Sequence, residues 1–487
     1  MTFVFDNSYA RLPPRFYVRQ APASVAAPRL VRLNEALAAD LGLDPTWLGS
    51  PEGVAVLAGN SVPEGAEPLA MAYAGHQFGG FVPQLGDGRA ILLGEVLSPR
   101  GERFDIQLKG SGRTPFSRGG DGRAWLGPVL REYIIGEAMH ALGIPTTRAL
   151  AAVATGESVH REGALPGAVL TRVARGHVRV GTFEYFAARR DTEALRQLAD
   201  YAIARHYPES AQHDRPYRAF LDAVIERQAA LIAQWLGVGF IHGVMNTDNM
   251  SIAGETIDYG PCAFMDDYHP GTVYSSIDRG GRYAYGNQPR IAHWNLSRLA
   301  ECLVPLLDED PGKAVEEAQA AIDAFPARFE EAYLGRFRAK LGLATAHPDD
   351  GDLAADLLQA MAETGADFTN GCRALCDAAE GSEGGFLTEL GDSRAATEWL
   401  QRWRLRLETE AAEPGARAAR MRRSNPALIP RNHRVEAALA AALEDDLGPL
   451  DALLGVLACP WEDDPAGIPY RAPPNPHEVV HQTFCGT

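Results

Sequence analysis

The chain has 487 residues, 46% hydrophobic and 22% charged, the balance of a globular protein with room for two or three domain-sized units. A formal net charge of −17 argues against non-specific binding to nucleic acid or an anionic membrane surface, yet permits a local basic pocket for a nucleotide. No run approaches membrane-spanning length, and the opening MTFVFDNSYARLPPRF lacks the apolar core of a secretory signal. Six cysteines, at 262, 302, 372, 376, 459 and 485, form no CxxC pair, so a reducing cytoplasm is the expected compartment.

Residues 1–65 read as an N-terminal extension, with helical periodicity over 30–41 and then punctuation at Pro45, Pro51, Pro63 and Gly65. A glycine-rich turn, Gly86-Asp87-Gly88-Arg89, precedes an apolar strand at 90–97. A turn at 98–101 leads to an alternating strand at 104–108 that delivers Lys109. The next segment, GSGRTPFSRGGDGRA, carries Arg113, Arg118, Arg123 and the pair Asp121-Gly122. Its glycines let backbone N–H groups approach a phosphate, and its arginines add planar charge; a flexible surface loop is the plainer alternative. Residues 125–142 have helical spacing through Leu126, Leu130, Tyr133, Ile134 and Met139, carry Glu132 and Glu137, and end at Gly143 and Pro145. Two more strands are expected at 147–154 and 167–172, within a small lobe of five strands around one helix. Arg172, Arg175 and Arg179 follow, either as a basic linker or as a phosphate clamp where two lobes meet.

From Asp191 the pattern is mainly helical, notably at 195–206 and 217–236. The second helix runs into FIHGVMNTDNMSIAGETIDYG, residues 240–260. Its spacing predicts loop, strand at 250–252, tight turn, strand at 255–257, and loop. Such a hairpin would bring Asn249 beside Asp258, an amide oxygen and a carboxylate suited to Mg²⁺. A protein kinase uses an Asn and a D-x-G aspartate in this way. Laid on that template, His242 and Asn249 match, Gly243 replaces the Arg, and Val244 replaces the catalytic Asp. Asp248 is the nearby carboxylate able to take over as base; ordinary turn chemistry explains the same residues if the segment is silent. A long loop follows Gly260 in the place of an activation segment. Helices are expected at 291–307 and 312–341, the latter broken at Pro326, and the remainder is helical with a proline-rich tail.

The stretches AYAGHQFGGFVPQLGDGRAILLGE, FDIQLKGSGRTPFSRGGDGRA and HGVMNTDNMSIAGETIDYGPCAFMDDY closely resemble the selenoprotein O family, as do FDNSYARLP and NPALIPRNHRVEAAL. The resemblance implies an α+β, two-lobed protein-kinase-like fold. The corresponding division is an extension at 1–65, an N-lobe at 66–175, a C-lobe at 176–340 and a helical region at 341–487. It also implies transfer of AMP from ATP, or UMP from UTP, to Ser, Thr or Tyr hydroxyls of proteins, with Mg²⁺ or Mn²⁺. The nucleotide would lie flipped relative to a kinase, so that pyrophosphate leaves. By match to the family pattern, Gly86, Gly88, Arg89, Lys109, Asp121, Gly122, Arg172 and Arg179 would hold nucleotide, and Glu132 would pair with Lys109. Asn249 and Asp258 would bind metal, and Asp248 would accept the proton. A conventional kinase and a nucleotide-binding scaffold are the alternatives. Members carry a cysteine or selenocysteine near the C-terminus, a place that Cys485 fits. A disulfide from Cys485 to Cys262 would restrain the loop, against the simpler expectation that both thiols stay reduced.

Overall fold

The computed structural model describes residues 3–484. Its organising element is an eight-stranded antiparallel sheet. In chain order the first strands are β1 (Tyr17–Arg19), β2 (Arg29–Leu33) and β3 (Leu69–Met71). A separate hairpin follows, β4 (Gly75–Gln77) and β5 (Gly80–Val82). The long strands are β6 (Ala90–Leu97), β7 (Arg103–Lys109), β9 (Arg148–His160) and β10 (Ala164–Ala174), with the short β8 (Ala124–Trp125) between them in sequence. The spatial order is β1-β3-β6-β7-β10-β9-β2, and β8 pairs with β10.

Alternation along the strands sorts the core. Leu92 and Leu170 face one apolar cluster, while their neighbours Leu93 and Val169 face another. The second cluster is closed by Leu37, Leu48 and Leu57 from three short helices, α1 (Glu35–Asp40), α2 (Pro45–Leu48) and α3 (Pro51–Ala58). The first is closed by α4 (Leu126–Ala141) through Leu130 and Ile134, and continues into the helices that follow. These are α5 (Val180–Ala187), α6 (Thr192–His206), α7 (Pro216–Gly237), α8 (Gln288–Leu307), α9 (Pro311–Asp323) and α10 (Phe325–Leu341). Two short strands, β11 (Phe240–Ile241) and β12 (Ala263–Phe264), pair between α7 and α8. Trp399, Trp403 and Phe368 centre a further cluster among the helices beyond residue 350.

Three expectations change. Residues 29–33 form an edge strand rather than part of a helix, because Asn34 caps α1 by accepting from Leu37 N and starts the helix late. The sheet has eight strands rather than the five expected, because residues 17–19 and 29–33 form its two edges and the short segments 69–71 and 124–125 also pair into it. The hairpin expected at 250–257 does not form. Ser251 bridges Arg179 and Thr256 bridges Thr146, so these residues pair outward with two other segments. The break at Pro326 holds: α9 ends at Asp323, and Pro326 sits in the first turn of α10, where its missing N–H costs nothing. Among the described residues no helix is long and apolar enough to cross a membrane.

Candidate active site

A cleft of about 480 Å³ opens between the sheet and the 244–261 segment. Gly86, Gly88, Arg89, Lys109, Asp121, Gly122, Arg172, Arg179, Asp248, Asn249 and Asp258 all line it. Residues from five separate stretches of sequence therefore meet in one place.

The floor is an ion cluster. Lys109, the last residue of β7, places Nζ 2.6 Å from Glu132 Oε2 and 3.3 Å from Asp258 Oδ1. Antiparallel pairing sets Arg172 opposite Gln107, two residues along from Lys109 and on the same face of the sheet. Arg172 Nε donates to Glu132 Oε1 at 2.7 Å, and its Nη2 donates to Asp258 Oδ1 at 2.6 Å. Arg179, the residue before α5, reaches Asp258 Oδ2 at 3.3 Å and lies over the Tyr73 ring at 4.4 Å. Burial works against the Asp258 carboxylate, but Arg172, Arg179 and Lys109 outweigh it and hold its pKa well below the usual range. Burial likewise opposes Glu132, whose pKa is nevertheless lowered by Arg172 and Lys109. Three cations facing two carboxylates leave one positive charge in excess at the floor of an acidic protein's cleft.

The far wall is polar and fixed. Buried His242 bonds the Ile257 carbonyl at 2.9 Å, tying the β11 end to the Asp258 turn. Asp258 itself has φ +63°, an unusual conformation for a residue with a Cβ and a form of strain that gathers at working sites. Asn249 Nδ2 donates to Val244 O at 2.9 Å, which leaves its amide oxygen as the atom that could hold a cation. Asp248 Oδ2 accepts from Gln77 Nε2 at 3.2 Å, whereas its buried Oδ1 has no partner. Burial raises the Asp248 pKa from 3.8 to about 6, only partly offset by Gln77 and Arg179. Gly75 is required beside it, since a Cβ there would stand 2.5 Å from Asp248 Oδ1.

The roof is glycine-rich. Gly86 has φ +75°, and a Cβ there would fall 2.3 Å from the Phe116 ring. Only glycine lets the 86–89 turn and the 110–123 loop approach this closely. Asp121 is held by Arg161 at 2.8 and 3.1 Å and caps Arg123 N at 2.9 Å, so it shapes the loop.

Two of the expected basic residues lie elsewhere. Arg175 lies just past the end of β10 and pairs with Glu102 at 2.8 Å, away from the cleft. Arg113 is exposed and donates to Gly119 O within its own loop. Sequence reasoning missed Gln77, Asn246, Phe116 and Arg161, all of which line the cleft. The signal for Gln77 was the Gly-rich run AGHQFGG, which forms the β4–β5 hairpin. Arg161 had no local signal, because only the sheet register brings the tip of β9–β10 to Asp121.

A divalent cation fits this donor set. Asn249 and Asp258 are hard oxygen donors. Among the described residues no group of three His, Cys, Asp or Glu stands ready to hold a metal alone, so remaining ligands would come from phosphate and water. Cys262 is buried just beyond the Asp258 turn; Cys485 lies outside the described residues, and so does its expected pairing.

The family model described as "Protein adenylyltransferase SelO" matches residues 1–458. The chain belongs to the SelO family. It is thereby an enzyme of the nucleotidyltransferase class. SelO-family relatives include a protein nucleotidyltransferase YdiU from Methylorubrum extorquens, 65% identical over all of this chain and 99% of the relative. Proteins of the same name from Rhodopseudomonas palustris (strain BisB5) and a Bradyrhizobium species (strain BTAi1) are 64% and 63% identical, with the same coverage.

Proposed function

We propose that this SelO-family enzyme binds ATP in the cleft and transfers AMP to a Ser, Thr or Tyr hydroxyl of a protein, releasing pyrophosphate. UTP would give UMP transfer by the same geometry. The observation that carries this reading is Asp248: a buried carboxylate with one unpartnered oxygen, sharing its cleft with an ion cluster that has positive charge to spare.

Arg172, Arg179 and Lys109 bind the phosphates, and glycines 86, 88 and 122 let the backbone close over them. Asn249 and Asp258 would hold Mg²⁺ or Mn²⁺, which screens the phosphate charge when bound. Glu132 keeps Lys109 and Arg172 in place. Asp248 accepts the proton of the attacking hydroxyl; with a pKa of about 6 it is mostly ionised at neutral pH yet basic enough to take a proton. The oxygen between the α and β phosphorus atoms leaves with the electron pair, and the basic floor offsets the charge on pyrophosphate. Val244 stands where a kinase has its base, which disfavours attack on the γ phosphorus.

The corresponding architecture is a two-lobed kinase-like body. In it residues 66–175 form the small lobe, 176–340 the large lobe, 1–65 an extension that shares the sheet, and 341–487 a helical addition. Incubation of a protein acceptor with ATP labelled separately at the α and γ positions tests the reaction. Label from the α position alone is the expected result. Label from γ alone would establish a kinase, and label from neither a binding scaffold.

A further inference from the structure

The mouth of the cleft and the β4–β5 hairpin beside it carry exposed apolar side chains. Phe78 is 39% exposed, Phe81 41% and Ile277 56%. Two of the three exposed phenylalanines among the described residues thus lie on the single hairpin β4–β5. Phe78 and Ile277 both line the cleft that holds Asp248, although they come from segments 199 residues apart.

The hairpin tip is also fixed rather than loose. Phe78 takes φ +52°, a conformation that a bulky side chain adopts at a cost. The strained residue is held by its N–H, which donates to Asn246 Oδ1 at 3.0 Å, and by its ring, 5.1 Å from that of Tyr283. Behind it His76 N donates to Thr247 Oγ1 at 2.7 Å, and Gln77 donates to Asp248. Three consecutive residues of the tip are thus tied to the segment that carries the carboxylate. Ile277 is set by its neighbours: Ser275 pairs with Thr483, and Asp278 accepts from Arg282 N and Tyr283 N. Strain spent on a rigid, exposed aromatic beside a reactive carboxylate marks a recognition surface.

Resting on the proposed role of Asp248, we infer that Phe78, Phe81 and Ile277 form the acceptor-docking surface, and that its occupant is an extended segment of the protein substrate. The segment presents its hydroxyl to Asp248 and lays an apolar side chain, one or two residues away, between the hairpin and residue 277. An acidic or basic side chain at that place loses the contact and is left partly desolvated.

The test uses the full chain with two fluorescent peptides of one sequence, differing only in Leu or Asp beside the acceptor Ser. Transfer from α-labelled ATP and peptide anisotropy are both measured. Burying part of a Leu side chain predicts a preference of roughly 5–20-fold in kcat/KM for the Leu peptide. Ile277→Ser and Phe81→Ser should each shrink that ratio toward one, each variant serving as its own control. Equal kcat/KM for the two peptides in the unmodified chain, or a ratio unchanged in both variants, overturns the surface. If no peptide takes α label, the transfer reading fails instead, and anisotropy decides the surface: tighter Leu-peptide binding supports it, and equal Kd values overturn it.

Discussion

Replacing Asp248 by Asn is expected to make the protein more stable and far less active. The carboxylate's pKa rises from 3.8 to about 6 because it is buried. At about 1.4 kcal/mol per unit, that shift of about two units is a penalty on the ionised folded state of about 3 kcal/mol. The sign follows from proton binding. Between about pH 4 and pH 6 the folded chain holds this proton more tightly than the unfolded chain, so the group's contribution to stability falls as pH rises through that window and is flat above it. The amide of the Asp248→Asn variant has no such titration and can still accept from Gln77. The variant's advantage should therefore be about 1.5 kcal/mol at pH 5 and about 3 kcal/mol at pH 7.5. Urea unfolding of the nucleotide-free proteins at both pH values measures it through the midpoints and slopes. The same substitution should lower turnover by roughly 10²–10⁴-fold and abolish the acid limb of the rate profile near pH 6. A stability gap that does not change between the two pH values, or turnover within about threefold of the parent, would refute the assignment of Asp248 as a buried base.

Asp258→Ala should abolish α-label incorporation in Mg²⁺ or Mn²⁺ while the far-ultraviolet spectrum is kept; near-normal incorporation removes Asp258 from metal binding. Arg172→Lys and Arg179→Lys should each weaken ATP much more than AMP in calorimetry, because the outer phosphates lose a planar donor; equal weakening of both nucleotides contradicts the clamp. Glu132→Gln leaves Lys109 and Arg172 facing Asp258 alone, and breaking a buried pair of this kind costs about 3–5 kcal/mol, readable as a lowered urea midpoint. An unchanged midpoint would mean that the cations relax without Glu132.

Much of the site was legible because its chemistry is local. Gly86 announces a close approach, and the structure supplies the Phe116 ring that forbids a Cβ. Lys109 at a strand end and Glu132 on the next helix meet because one sheet and one packed helix leave little choice of face. The failures are long-range. The 250–257 segment has the pattern of a hairpin, but Ser251 and Thr256 find partners 72 and 110 residues away that a local reading cannot weigh. Arg172, Arg175 and Arg179 look alike in sequence, yet β10 ends at Ala174, so Arg175 meets Glu102 and solvent beyond the strand while Arg172 is buried on Glu132. Residues 29–33 lie in a stretch of helical spacing that tertiary pairing with β9 overrides.

In the proposed reading, the ion cluster also gives a reason for gathering so many charges on one aspartate. Asp258 is shared by Lys109, Arg172 and Arg179 at 3.3, 2.6 and 3.3 Å. Phosphate oxygens compete for the same donors and form charge-assisted bonds of the same kind. In the proposed reading, each donor that moves to the nucleotide releases part of Asp258, and the freed carboxylate becomes a ligand for the cation that accompanies the phosphates. Metal affinity should therefore be low in the nucleotide-free protein and rise when ATP is present, since the cations that hold Asp258 also repel a divalent ion. Glu132 holds Lys109 at 2.6 Å and Arg172 at 2.7 Å independently of Asp258, and in the same reading these two bonds would keep the floor assembled while the cations change partners. Calorimetric titration of Mn²⁺ with and without an ATP analogue that cannot be cleaved between the α and β phosphorus atoms measures the coupling. Equal Mn²⁺ affinity in both states would separate the metal site from the arginine cluster.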